Sequence, residues 1–273
     1  MFSLYHIIWI AVCFAMIAGC IVILTRRKPP LKKVVSVYLI LGAISEIIKI
    51  LSVIEIVPMV EPVIESGGGN SVINYVPTGE YTPVMGAEHL PLELCSLQII
   101  LIAVCCFVKS EKIRHIIYSI IYPTGLIGGT LGIALATVTA YIKTPEEYFL
   151  TPRIWQYFLY HAMIVILAVY LGISRESGLR FKDWKYAVAG TIALDLPTFY
   201  LNSVLSSQVY QNDHLIGVSH RINFFSSYVN PLGLILTEKW QWITYLVIRA
   251  VMAFMLIVLL FLPFRKRQNY KVI

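Results

Sequence analysis

Seven stretches of about 20 mostly apolar residues dictate what this chain can become, since each is long enough to cross the ~30 Å hydrocarbon layer as a helix. They cover 4–24, 34–57, 90–108, 116–139, 154–174, 186–204 and 243–264. Lipid offers the backbone no hydrogen-bond partner, so a spanning segment must satisfy its own N–H and C=O groups, and a helix does so within one stretch. Composition agrees. Of the 273 residues 58% are hydrophobic and 14% charged, against roughly a quarter charged in a soluble domain. The expected fold is all-α: a single polytopic membrane domain over 1–273 with seven transmembrane helices. The run MFSLYHIIWIAVCFAMIAGCIVIL lacks a basic leader and a small-x-small cleavage site, so it reads as a retained first helix and not a signal peptide.

The net charge of +7 raises the question of nucleic acid, and the placement of the charges answers it. Arg26, Arg27, Lys28, Lys32 and Lys33 follow the first span, and Lys109, Lys112 and Arg114 the third. Arg175, Arg180, Lys182 and Lys185 follow the fifth, and Arg265, Lys266, Arg267 and Lys271 the last. All these fall on one side. The other side holds Lys143, Arg153, Arg221 and Lys239. Such a bias marks the cytoplasmic side. The N-terminus is therefore expected outside and the C-terminus in the cytoplasm of a multi-pass cell-membrane protein, with no nucleic-acid partner. Cys13, Cys20, Cys95, Cys105 and Cys106 all lie in apolar runs, so no disulfide framework is expected. Nothing has metal-ligand spacing, and no cofactor is called for.

Two outer loops are long. Residues 58–88 hold four glutamates, a GGG at 67–69 and Pro58, Pro62, Pro77 and Pro83, and read as irregular and solvated. Residues 205–242 are more apolar but are broken by His220, Arg221, Asn223, Asn230 and Pro231. An eighth span there would break the charge rule, so 213–236 reads as a re-entrant or surface-lying segment. In the fourth span Gly125/Gly129 and Gly128/Gly132 are small-xxx-small pairs, which suit close helix packing.

Ionisable groups at membrane depth cost about 2.5–3.5 kcal/mol on insertion scales, so they have partners or work to do. Glu46 and Lys49, three apart on one face, suit an internal ion pair. The sixth span carries Thr191, Asp195, Thr198 and Asn202 as one polar stripe, the threonines suited to bonding across to other helices. Arg249 on the last span is the candidate counter-ion of Asp195. His161 sits about two turns into the fifth span, one turn from Tyr157. In HLPLELCSLQ at 89–98, Pro91 suits the first turn of a helix, and a helix N-terminus favours a thiolate at Cys95. Gln98 shares the face of Cys95. Glu93 lies about 200° around the helix from it, so a base for Cys95 must come from another helix. Under the expected topology Glu93, Cys95, Gln98, His161, Asn202 and Arg249 fall in the outer half of the bilayer, with Asp195 near its middle. They point to one outward-facing polar cavity at the depth of lipid headgroups and acyl ester bonds, with membrane lipids as partners.

LPLELCS at 90–96, WQYFLYH at 155–161, Asn202 and INFFSSYVNP at 222–231 resemble the YwaF-like integral membrane proteins. Eukaryotic relatives of that bacterial seven-helix family include a cysteine-dependent phospholipid acyltransferase. The resemblance covers about residues 34–264. It implies Cys95 as nucleophile, His161 as base, and Asn202 and Asn223 as site-lining amides. Glu93 stands where the family often has His, and the spacer from Asn202 to Asn223 is longer. The implied chemistry is acyl transfer from a phospholipid or other acyl-lipid through Cys95, with Gln98 or Asn223 donating to the oxyanion. The residues themselves also leave open a non-enzymatic small-molecule or lipid binder or transporter, with Asp195 and Arg249 as a charged pair in its path. The inverted repeats common in transporters are not visible in the seven unequal spans.

Overall fold

The computed structural model describes residues 3–67, 70–136, 142, 144–211, 214–220, 223–226 and 238–266, of which those within 63–74 and 208–220, and residue 226, are described by backbone alone. The chain forms α1 (Leu4–Arg27), α2 (Leu31–Val53), β1 (Glu55–Gly67), β2 (Asn70–Val84), α3 (Leu94–Phe107) and α4 (Glu111–Ala134). There follow α5 (Glu147–Leu150), α6 (Pro152–Ile173), α7 (Trp184–Leu205), β3 (Ser207–Gln211), β4 (His214–His220) and α8 (Lys239–Phe261). Among the described residues, six helices are long and apolar enough to cross a membrane, and α3 is a shorter apolar helix. The protein is thus an all-α polytopic membrane protein. Local chemistry sets the helix starts. Ser3 and Ser110 accept from the N–H groups of His6 and Ile113 at the heads of α1 and α4, and Pro152 opens α6.

The helix α6 is the hub. It packs against α1, α2 and α4, while α4 also packs on α3 and α7, and α7 on α8. Buried over most of their length, α4 and α6 contrast with α1, α7 and α8, which keep most of their surface for lipid. Glycines explain how close α4 comes to α6. A Cβ at Gly125 would lie 3.1 Å from the Ala168 Cβ, and one at Gly129 would lie 2.6 Å from a Val165 methyl and 3.0 Å from the His161 carbonyl. One apolar core joins α2, α3, α4, α6 and α8 at the basic end of the bundle. Another joins α1, α4 and α6 at the opposite end, where Trp9 stacks on Phe158 at 5.1 Å.

Three expectations change. The loop over 58–88 is not irregular: β1 and β2 form an antiparallel hairpin running from Glu55↔Val84 to Gly67↔Asn70, with one register shift between Pro58 and Val60. Its prolines are tolerated because both strands of a two-stranded ribbon are edges, where a missing N–H need not break a ladder. Second, part of 213–236 is strand, since His214–His220 pairs antiparallel with Ser207–Gln211. The described piece that goes inward is the short 3-10 turn Phe224–Ser226, with Phe224 fully buried. Third, α3 begins at Leu94, not at 90, and has 14 residues. At 1.5 Å per residue it is about 21 Å long, too short for the ~30 Å hydrocarbon layer. Lys143, Arg221, Asn230, Pro231, Arg267 and Lys271 lie outside the described residues.

Gly129→Ala should lower the stability of the detergent-solubilised protein by about 1–3 kcal/mol, the usual cost of overpacking. Gly19→Ala, where an added Cβ meets nothing within 4 Å, should leave it unchanged. Thermal unfolding of the two variants side by side checks this.

Candidate active site

The site is built around the first turn of α3. Glu93 is its N-cap, with extended backbone (φ −71°, ψ 150°), and Cys95 is the second helical residue. The two were expected to point apart. That inference assumed helix through Glu93, and the helical period does not apply to an extended residue. The Glu93 carboxylate in fact lies near enough to act electrostatically on the Cys95 thiol. Pro91 precedes the helix and does not sit in its first turn. Cys95 is half-buried. Its sulfur is faced by the N–H and hydroxyl of Ser96, with the Lys49 ammonium also within electrostatic reach.

The helix α6 reaches this point through Tyr160, while Tyr157 and His161 lie against Gly132 of α4. Tyr160 donates its hydroxyl to the Cys95 carbonyl at 2.8 Å, which ties α6 to the head of α3. His161, one residue on and buried, places Nδ1 2.7 Å from the Tyr157 carbonyl. A carbonyl only accepts, so Nδ1 carries hydrogen and Nε2 is left as the basic nitrogen of the neutral ring. The ring fits because residue 132 is glycine: a Cβ there would lie 2.1 Å from Cδ2 and 2.5 Å from Nε2. Tyr157 in turn donates to the Gly132 carbonyl at 3.0 Å. Farther up the helix, Arg153 donates to Gln156 Oε1 and lies over the Tyr157 ring. Gln156 then donates to Ser45 Oγ at 2.8 Å, and Ser45 immediately precedes Glu46 of the Glu46–Lys49 ion pair at 2.5 Å. Gln98 is also buried. Its Nε2 donates to Thr124 Oγ1 at 2.9 Å, and its Oε1 has no hydrogen-bond partner among the described residues. One N–H of the Gln98 amide goes to Thr124, and the amide carries a second.

A second polar group holds the Phe224–Ser226 turn. Asn202, fully buried, accepts from the Phe224 N–H at 2.8 Å and donates to its carbonyl at 3.1 Å. Phe225 adopts left-handed backbone (φ 57°), a conformation a bulky residue keeps only when its surroundings impose it. Arg249 donates to the Phe225 carbonyl and pairs with Asp195 at 2.5 Å. The Phe225 N–H reaches the Glu93 carboxylate. Glu93 therefore joins the two groups, and Asn223 sits where the pinned turn begins. The threonines of the polar stripe bond within α7 itself: Thr191 to the Ala187 carbonyl and Thr198 to that of Asp195. Among the described residues no cluster of His, Cys, Asp or Glu forms a metal site.

The profile of the TMEM164 family matches residues 1–262. The chain belongs to the TMEM164 family. The match runs through α8, so it takes in every residue of the candidate site. The YwaF-like resemblance rests on the short motifs alone, and the matching profile is that of the TMEM164 family. No curated protein and no solved structure matches the chain.

Several residues of this TMEM164-family site escaped the sequence reading. Arg153, Gln156 and Tyr160 escaped it, though with Tyr157 and His161 they are spaced i, i+3, i+4, i+7 and i+8, a single helical face. That spacing was visible, but Arg153 counted only as a basic residue of the outer side. Ser45, Ser96, Thr124 and Gly132 carried no such signal, because small residues at membrane depth read as packing. The role of Phe225 lies in its backbone and is invisible in sequence.

Asp195→Asn and Arg249→Gln should each destabilise the protein, and the double variant should lose less than their sum. The coupling expected is about 1–3 kcal/mol, measured by thermal unfolding of all four proteins. Additive losses would dissolve the pair.

Proposed function

We propose that this TMEM164-family protein is a membrane-embedded lipid acyltransferase, with Cys95 as nucleophile and His161 as base. The observation that carries the reading is the hydrogen bond of His161 Nδ1 to the Tyr157 carbonyl. It leaves Nε2 basic on the helix whose Tyr160 holds the Cys95 carbonyl. In this reading the shortfall of the 14-residue α3 lies at its outer end, which sets Cys95 at the depth of acyl ester bonds.

His161 Nε2 takes the thiol proton, and the sulfur attacks the ester carbonyl of a phospholipid acyl chain. The tetrahedral oxyanion collapses, the ester C–O bond breaks, and the lysolipid alkoxide leaves with the proton from His161. An acceptor alcohol then attacks the thioester as His161 takes its proton, and the Cys95 thiolate departs and is reprotonated. Ser96, whose N–H and hydroxyl face the sulfur, is a donor to the oxyanion beside Gln98 or Asn223. Asn202 and Arg249 act as positioning residues through the turn that contacts Glu93. The Asp195–Arg249 pair is bound up with the Phe225 carbonyl, which favours a latch over a substrate path. In this reading the basic end faces the cytoplasm and the site opens outward from the cell membrane.

Transfer of labelled acyl chains from phosphatidylcholine to a lysolipid should vanish in Cys95→Ala. It should fall by roughly 10²–10⁴ in His161→Ala, the range of a lost general base, and fall in Gly132→Ala, whose methyl displaces the ring. Iodoacetamide labelling of membranes gives a second readout. Cys95 is more exposed than buried Cys105, so faster labelling alone decides nothing. Its slowing in His161→Ala is the test, and an unchanged rate there together with unchanged transfer ends the proposal.

A further inference from the structure

At the basic end, away from Cys95 and His161, a groove of about 610 Å³ opens between the head of α4 and the segment leading into α7. Lys112, Arg180, Lys182 and Lys185 line it, with Ile116 and Tyr186. We infer that this groove binds the headgroup of an anionic phospholipid in the facing leaflet.

The first support is charge that the fold leaves unbalanced. Two carboxylates also line the groove, and both are engaged. Glu111 is held by Arg114 on its own helix. Asp183 is buried, 3.0 Å from His115 Nε2, and accepts from the Arg180 N–H at 2.7 Å. Among the described residues none of the four lining cations forms an ion pair with a carboxylate. The positive-inside tendency explains why cations lie on this side. It does not explain why four converge on one groove from two separate segments.

The second support is that the groove is built. His115 on α4 sets Nδ1 3.2 Å from the Ser177 carbonyl and Nε2 against Asp183. The Nδ1 contact, the nearness of the ring to Asp183 and the Arg180 N–H bond to the Asp183 carboxylate hold the 3-10 turn Phe181–Asp183 against α4, and that turn carries Lys182 and precedes Lys185, across from Lys112. The third is the wall. Ile116 is apolar and Tyr186 is 43% exposed. A soluble anion has no use for such a wall, whereas the glycerol and first acyl carbons beneath a headgroup do, and Tyr is favoured at that interface. Basic pockets between spanning helices suit phosphorylated headgroups for these reasons. The inference does not depend on acyl transfer.

The test uses the full chain in detergent and a fluorescent short-chain phosphatidylinositol phosphate, with anisotropy reporting affinity. Wild type should bind saturably. At about five-fold per lysine, Lys182→Gln/Lys185→Gln should bind roughly 25-fold more weakly, and Lys182→Arg/Lys185→Arg should retain binding and so exclude a folding defect. Lys32→Gln/Lys33→Gln removes equal charge from the same end and should leave affinity unchanged. Equal weakening in that control would reduce the effect to general surface charge and overturn the proposal. So would soluble inositol phosphate competing as well as the lipid, because the apolar wall would then contribute nothing.

Discussion

The close approach of α4 to α6 is the contact on which the rest of the structure depends. In lipid there is no hydrophobic drive to bring two apolar helices together, so association relies on van der Waals packing and a few polar bonds. Packing at such range needs missing side chains, and Gly125, Gly129 and Gly132 supply them along one face of α4. The same series does two jobs. Its first two members let the backbones meet, and the third makes room for the His161 ring. A helix interface of this kind thus fixes an imidazole as well as a fold.

Polar groups in the membrane are costly unless paired, and the observed pairings set a division of labour. Glu46 with Lys49, Asp195 with Arg249, and Asn202 with Phe224 are local neutralisations. The last two also hold a turn that no regular secondary structure would keep. Left-handed Phe225 persists because α7, α8 and the N-cap of α3 each grip its turn. The irregular backbone is bonded to protein on all sides described, as membrane depth requires.

The short α3 shapes the chemistry available. A helix that began at the membrane surface would put its N-terminal N–H groups in water. Beginning at Leu94, α3 directs them at a polar cluster, with a thiol in its first turn and the Glu93 carboxylate on its N-cap. Fixed dipoles count for more in such surroundings than in solvent.

Much of this was legible in the sequence. Runs of about 20 apolar residues require spanning helices because lipid leaves the backbone no alternative. The Glu46–Lys49 pair followed from three-residue spacing on one helix, and Asp195 with Arg249 from the cost of leaving either alone. Other features needed tertiary structure. The β1–β2 hairpin was hidden because prolines ordinarily argue against strands, and the strands turned out to be edges. The start of α3 was misplaced by Pro91, which suits a helix start but here lies in the turn before it, so the helical period that set Glu93 apart from Cys95 does not reach Glu93. By itself the sequence determined which segments lie in the membrane and which charges need partners, since both follow from local composition and periodicity. Which helix faces which, which ring nitrogen of His161 is basic and what Asn202 holds were decided by tertiary structure, because each depends on groups far apart in the chain.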